Sequence, residues 1–118
     1  MNDPTLLVVA KAPVPGLAKT RIAATIGDAA AAELAAAALL DTLETVVALG
    51  WPVVVAMTGD LGEAARTDEI TRALSGVRVI AQRGEGLGER LAHAHADADG
   101  GHGVVQVGML TISDGRLT

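Results

Sequence analysis

The 118-residue sequence contains no cysteine, no phenylalanine and no tyrosine, and Trp51 is its single tryptophan. Without cysteine there is no disulfide framework, no thiolate-bound metal and no thiol nucleophile. With one aromatic ring, the core has to be assembled from Ala, Val, Leu and Ile, which make many small contacts and supply few large anchors. Positive charge is scarce as well, with 9 Lys and Arg against 14 Asp and Glu and a net charge of -5. A nucleic-acid binder would carry a basic stripe, so this balance argues against nucleic acid as a partner. Long hydrophobic runs are missing too. The opening residues Met1-Asn2-Asp3-Pro4 lack the cationic start of a signal peptide, and no apolar run approaches the ~20 residues that span a bilayer. The expectation is a single domain over residues 1–118, soluble and cytoplasmic, with no membrane partner.

Against this background one stretch stands out. Leu6-Leu7-Val8-Val9-Ala10 is a continuous apolar run and reads as a strand buried on both faces. Pro13, Pro15 and Gly16 follow it and cannot continue a strand, so they read as a loop. That loop leads to two cations, Lys19 and Arg21, placed just ahead of a helix. A strand, a glycine-containing loop and a helix start in this order can hold a phosphate, because loop amides, the helix N-terminus and cationic side chains converge on one anion. The alternative is that the prolines and glycine only turn the chain and the cations are solvated.

The remainder alternates between helical and strand patterns. Residues 29–49 form an Ala-rich segment in which Ala32, Ala36, Leu39, Leu40, Leu43, Val46 and Val47 recur at helical spacing. Asp28 is the expected N-cap and Gly50 the expected stop, while Leu34 falls on the polar side without explanation. Residues 52–57 and 77–81 read as strands, 61–75 as a helix in two pieces, 82–88 as a glycine-rich connection, 89–97 as a short helix and 104–107 as a fourth strand. Such alternation predicts an α/β fold, a three-layer αβα arrangement with a mainly parallel sheet of about four strands. Parallel strands bring the loops after Ala10, Met57, Ala81 and Val107 to one carboxyl edge, where ligands bind in these folds.

Common nucleotide motifs do not fit. A P-loop places glycine directly before its lysine and another five residues earlier, whereas Ala18 precedes Lys19 and Pro13 stands five before Ala18. Gly84, Gly86 and Gly88 are spaced by two and follow the third strand, so they do not form a dinucleotide fingerprint. His93 and His95 are two apart and cannot share one helix face as a metal pair. Glu85 and Glu89, flanked by Arg83 and Arg90, read as a charge cluster at a helix start or as acid–base groups.

Lys11-Ala12-Pro13-Val14-Pro15-Gly16 with Lys19-Thr20-Arg21-Ile22, Gly86-Leu87-Gly88-Glu89-Arg90-Leu91, and Gln106-Val107-Gly108-Met109 together resemble a bacterial glycosyltransferase-like family. These are the radical-SAM/selenodomain-associated transferases, within the nucleotide-diphosphosugar transferases of the GT-A fold. The resemblance runs from Leu6 to Met109 and implies the N-terminal half of such a fold, with a nucleotide or nucleotide-sugar as ligand. It implies Lys19 and Arg21 near the phosphates and Gly16 letting the loop approach them. Gly86, Gly88 and Arg90 would lie close to the nucleoside, and Lys11 completes the implied nucleotide-binding set; no catalytic residue is assigned. Mg²⁺ or Mn²⁺ is the implied cofactor. Relatives carry an aspartate ligand after the fourth strand, where this chain has Leu110 in Gly108-Met109-Leu110-Thr111-Ile112, and leucine offers no oxygen to a hard cation. Asp114 is a weak substitute in a Gly-flanked tail. The expectation is a glycosyl- or nucleotidyltransferase-like protein with a missing C-terminal part and impaired catalysis; the alternative is a non-catalytic nucleotide-binding or self-associating homo-oligomeric module.

Overall fold

The computed structural model of the protein describes residues 3–16, 20–107, 112–113 and 116–117. Strand β1 (Thr5–Lys11) is followed by helices α1 (Thr20–Ile26) and α2 (Asp28–Ala48). Then come β2 (Val53–Thr58), a single 3-10 turn (Leu61–Glu63), α3 (Thr67–Leu74), β3 (Arg78–Ala81), α4 (Gly86–Ala98) and β4 (Val104–Val107). Two short strands, β5 (Ile112–Ser113) and β6 (Arg116–Leu117), pair antiparallel with each other. The main sheet has the order β3-β2-β1-β4, and every pairing in it is parallel. This is the α/β, three-layer, parallel architecture that the alternation of patterns predicts.

Burial follows from strand position. In β1, Leu7 and Val8 are fully buried on opposite faces, as a central strand flanked by two others requires. Leu6, Val8, Ala10, Val53, Val55 and Met57 pack on one face against Ala36, Leu39, Leu43 and Val46 of α2 and Ile70 and Leu74 of α3. On the other face Leu7, Val54 and Ala56 pack against Ala94 and Ala98 of α4. The chain moves from β1 to β2 to β3 with helices on the first face, then returns beneath the sheet through α4 to reach the far side of β1. The change of face is what right-handed crossovers demand when the direction of strand addition reverses.

Several local expectations are corrected. Gly27, with φ 92°, occupies the N-cap of α2, and Asp28 is the first helical residue with no capping hydrogen bond from its side chain. Asp28 still sits in the first turn, where the helix dipole favours a carboxylate. The helix that follows the first loop begins at Thr20, so Arg21 lies within the first turn of α1 and not ahead of it. The helix expected at 89–97 starts earlier, at Gly86, which moves Gly86 and Gly88 from the connection into the first turn of α4. Val47, placed by spacing on the sheet-facing stripe, is 49% exposed and lines a groove of about 590 Å³ between α2 and α3 with Leu40, Leu43 and Ala73. Among the described residues β3 and β4 are the edge strands of the main sheet, and Val79 and Val105 on them are exposed. Gly50 does end α2 as expected: with φ 77° its N–H donates to the Val47 carbonyl at 3.1 Å.

Leu39 is fully buried at the centre of the α2 stripe, whereas Leu34 on the opposite side is 40% exposed. Leu39→Ala is expected to cost about 2–5 kcal/mol in chemical denaturation, the range for emptying a core site. Leu34→Glu should change stability by less than about 0.5 kcal/mol. Comparable losses for both would contradict the assignment of the buried face.

Candidate functional site

The sheet order puts a topological switch point between β1 and β4, the kind of place beyond the carboxyl ends of the strands where open α/β sheets bind ligands. The loop leaving β1 starts at this edge and leans toward β2. Ala12, Pro13 and Val14 are buried, and three hydrogen bonds fix this segment: Ala12 N–H to the Thr58 carbonyl at 2.8 Å, Val14 N–H to the Ala12 carbonyl at 2.8 Å, and Ala65 N–H to the Pro13 carbonyl at 2.9 Å. Pro13 therefore lies against the body of the fold before the chain emerges at Pro15 and Gly16, both exposed. Gly16 has φ 86°, and a side chain built there would begin 3.7 Å from the Asp28 carboxylate, so the loop passes close to the start of α2. Gly59, after β2, has φ 90° and would place a Cβ 3.1 Å from that of Ala12, so the two loops can touch only because one carries glycine.

The residues predicted from sequence are distributed unevenly along this edge. Lys11 is exposed at the last position of β1, level with Thr58 of β2. Gly16 lies at the loop tip and Arg21 in α1, whereas Lys19 and Leu110 lie outside the described residues, as do Gly108, Met109 and Asp114. Gly86, Gly88 and Arg90 are together at the start of α4, with the Arg90 Nε donating to the Gly86 carbonyl at 3.3 Å. The expected cluster of Glu85, Glu89, Arg83 and Arg90 resolves into other pairs. Arg83 binds Asp97 through two nitrogens at 2.7 and 2.8 Å, and Glu89 faces His93 at 3.6 Å. His95 meets Gln106 at 2.7 Å, so neither histidine stands alone as a ligand.

Gln82 is the residue that sequence reasoning passed over. Its side-chain nitrogen donates to the carbonyls of Ala10 in β1, at 3.0 Å, and of Ala56 in β2, at 3.1 Å. A polar side chain immediately after a strand-like run, ahead of a glycine-rich segment, was the available signal. Only the strand order reveals that β1 and β2 lie within its reach.

Residues 39–113 match the family described as "Uncharacterized protein conserved in bacteria (DUF2064)", and the chain belongs to that family. The fold superimposes, with a TM-score of 0.69 and 29% identity, on the crystal structure of a "putative nucleotide-diphospho-sugar transferase" from Desulfovibrio desulfuricans G20. The match covers 93% of this chain and 48% of the other, so the chain spans about half the length of the solved protein it resembles. No protein of curated function matches it. These findings support a transferase-like, GT-A-related fold. No helix among the described residues is long and apolar enough to cross a membrane.

The Asp97 carboxyl is held below the usual carboxylate range, first by the hydrogen bonds from Arg83 and then by the charge of that guanidinium; burial opposes the shift and the charges of His93 and Arg78 add to it. A carboxyl lowered in the folded state stabilises the fold above its unfolded pKa, about 3.9, and loses that contribution as pH falls through the lower folded value. The pair is at the surface, so the contribution is small and screened by salt. Stability measured from pH 7 to pH 2 should therefore show a wild-type advantage over Asp97→Asn that shrinks below about pH 4 and narrows at 1 M salt. A difference that is constant with pH would remove Asp97 as the titrating group.

Proposed function

We propose that the chain binds a nucleotide or nucleotide-sugar at the carboxyl edge of its sheet, as a transferase-type domain of the radical-SAM-associated glycosyltransferase-like kind. The observation that carries this reading is the parallel strand β1 with the partly buried loop that leaves its carboxyl end ahead of α1, on a fold shared with a nucleotide-diphospho-sugar transferase-like protein. Lys19 and Arg21 would neutralise the phosphates, Gly16 would let the loop approach them, and Lys11 would add charge from the end of β1. Gly86, Gly88 and Arg90 would face the nucleoside. Binding here is a contest of charges, because the Asp28 carboxylate borders the same loop.

A divalent ion is implied by the resemblance, and the residues do not fit it. Among the described residues no group of three His, Cys, Asp or Glu could hold a metal, and the sequence has Leu110 where the resemblance expects an aspartate. The reading is therefore one of binding and charge neutralisation by the chain's own cations, without metal-dependent turnover. Calorimetric titration with nucleoside diphosphates and nucleotide-sugars, with and without Mg²⁺ or Mn²⁺, tests it. Arg21→Ala should weaken binding by about 1.5–3 kcal/mol, the value of hydrogen bonds to charged groups, and Asp28→Asn should strengthen it. Equal affinities for wild type and Arg21→Ala would return the loop to a simple turn. Robust metal-stimulated product formation would overturn the binding-only reading.

A second reading, self-association, is favoured by β4. This edge strand, Val104-Val105-Gln106-Val107, carries no charge or proline, and Val105 is 46% exposed, whereas the opposite edge carries Arg78. Charges and prolines are what keep open edges from pairing. Sedimentation at micromolar concentration should show a dimer, and Val105→Lys should return it to monomer. A wild-type monomer would refute this reading.

A further inference from the structure

Gln82 makes a connection that the proposed nucleotide reading does not require. Its backbone N–H donates to the Met57 carbonyl at 3.1 Å, continuing the β2–β3 ladder by one rung. A carboxamide nitrogen has two hydrogens, and here they meet carbonyls on two different strands, Ala10 at 3.0 Å and Ala56 at 3.1 Å. The side chain thus reaches from the end of β3 across β2 to β1, and its rotation is fixed at both acceptors. Ala10 lies two residues before the Ala12 N–H that bonds Thr58, so the contact is at the root of the loop leaving β1.

The next two residues are anchored to a different element. Arg83 grips Asp97 on α4 through two bonds. Gly84, with φ 112°, lies so close to α4 that a Cβ would stand 2.8 Å from the Glu89 Cγ and 3.0 Å from the His93 Cδ2. Three consecutive residues therefore join the ends of β1 and β2 to the flank of α4. An unbroken run of hydrogen bonds and close packing of this kind transmits displacement better than a loop free to pivot. We propose that Gln82 is a positioning residue that couples the loop after β1 to the Gly84–Gly86 segment, so that the two halves of the edge move together. The coupling exists without ligand; only its use in binding rests on the anion reading.

Gln82→Met keeps the length of the side chain and removes its donors, and Gln82→Ala serves as a second variant. In the first arm, amide hydrogen exchange is measured without ligand. Coupling predicts that the hydrogen-bonded N–H groups of Ala12 and Gln82, which donate to the Thr58 and Met57 carbonyls, exchange about tenfold faster in Gln82→Met, the effect of losing one net hydrogen bond, beyond any change at mid-strand Leu7 and Val55. Unchanged rates at Ala12, or one uniform increase throughout the chain, would overturn the proposal. In the second arm, inorganic pyrophosphate is titrated while backbone amide shifts are recorded. In the wild type Ala12, Gly84 and Gly86 should shift along one binding curve. In the variants Ala12 should still respond while the response of Gly84 and Gly86 falls at least about threefold. An equal response in wild type and Gln82→Met would overturn the coupling. If no amide shifts in the wild type, the anion reading fails by itself, and the exchange arm still decides the role of Gln82.

Discussion

The parallel pairing of β1 on both sides is the constraint on which the rest of the structure depends. Leu6 through Ala10 present apolar side chains to both faces, but their peptide groups can be removed from water only if each finds a partner. β2 supplies one ladder from Leu6 to Lys11 and β4 the other from Thr5 to Val8. Because both neighbours run parallel to β1, each connection has to return across a face, and α2 and α4 do so on opposite sides. The same constraint aligns the carboxyl ends of the strands. The candidate site is a geometric consequence of burying β1.

How far the sequence reveals this depends on whether a segment's surroundings are uniform. β1 and β2 lie inside the sheet, where an uninterrupted apolar run has one reading, and their strands and order of appearance were legible. The long stripe of α2 was legible for the same reason. Edges were less so, because Val79 and Val105 belong to apolar runs yet face solvent, and hydropathy does not say which strand is last. Helix starts failed on glycine. Local propensity assigns Gly86 and Gly88 to a loop, but the packing of Ala94 and Ala98 against the sheet fixes α4 strongly enough to extend it over its weak first turn.

Charged residues show a related limit. Arg83 and Arg90 sit near Glu85 and Glu89 in sequence, so a local cluster was the natural reading. In the fold Arg83 turns instead to Asp97, which a helix of 3.6 residues per turn brings onto the same flank as Glu89 and His93. Gln82 was hidden for a stronger reason, since its partners are 72 and 26 residues away and are backbone carbonyls, which carry no side-chain signature. Tertiary hydrogen bonds to main chain cannot be read from residue types. They emerge once strand order is known.

The electrostatics of the edge follow from the same geometry. A chain of net charge -5 repels an anion on average, so any attraction must come from local arrangement. Lys11 stands in solvent at the carboxyl end of β1, and Arg21 follows in the first turn of α1. Arg83 and Arg66, by contrast, are committed to Asp97 and Glu33 and contribute little net positive field. Asp28 opposes the attraction at close range because the positive φ of Gly16 and Gly27 folds the loop against the start of α2. Interactions between exposed charges farther apart than about 8–10 Å are largely screened at physiological salt, so the distant acidic excess matters less than this one carboxylate. On the proposed reading, the balance between Asp28 and the cations that follow β1 therefore decides whether the edge accepts an anion.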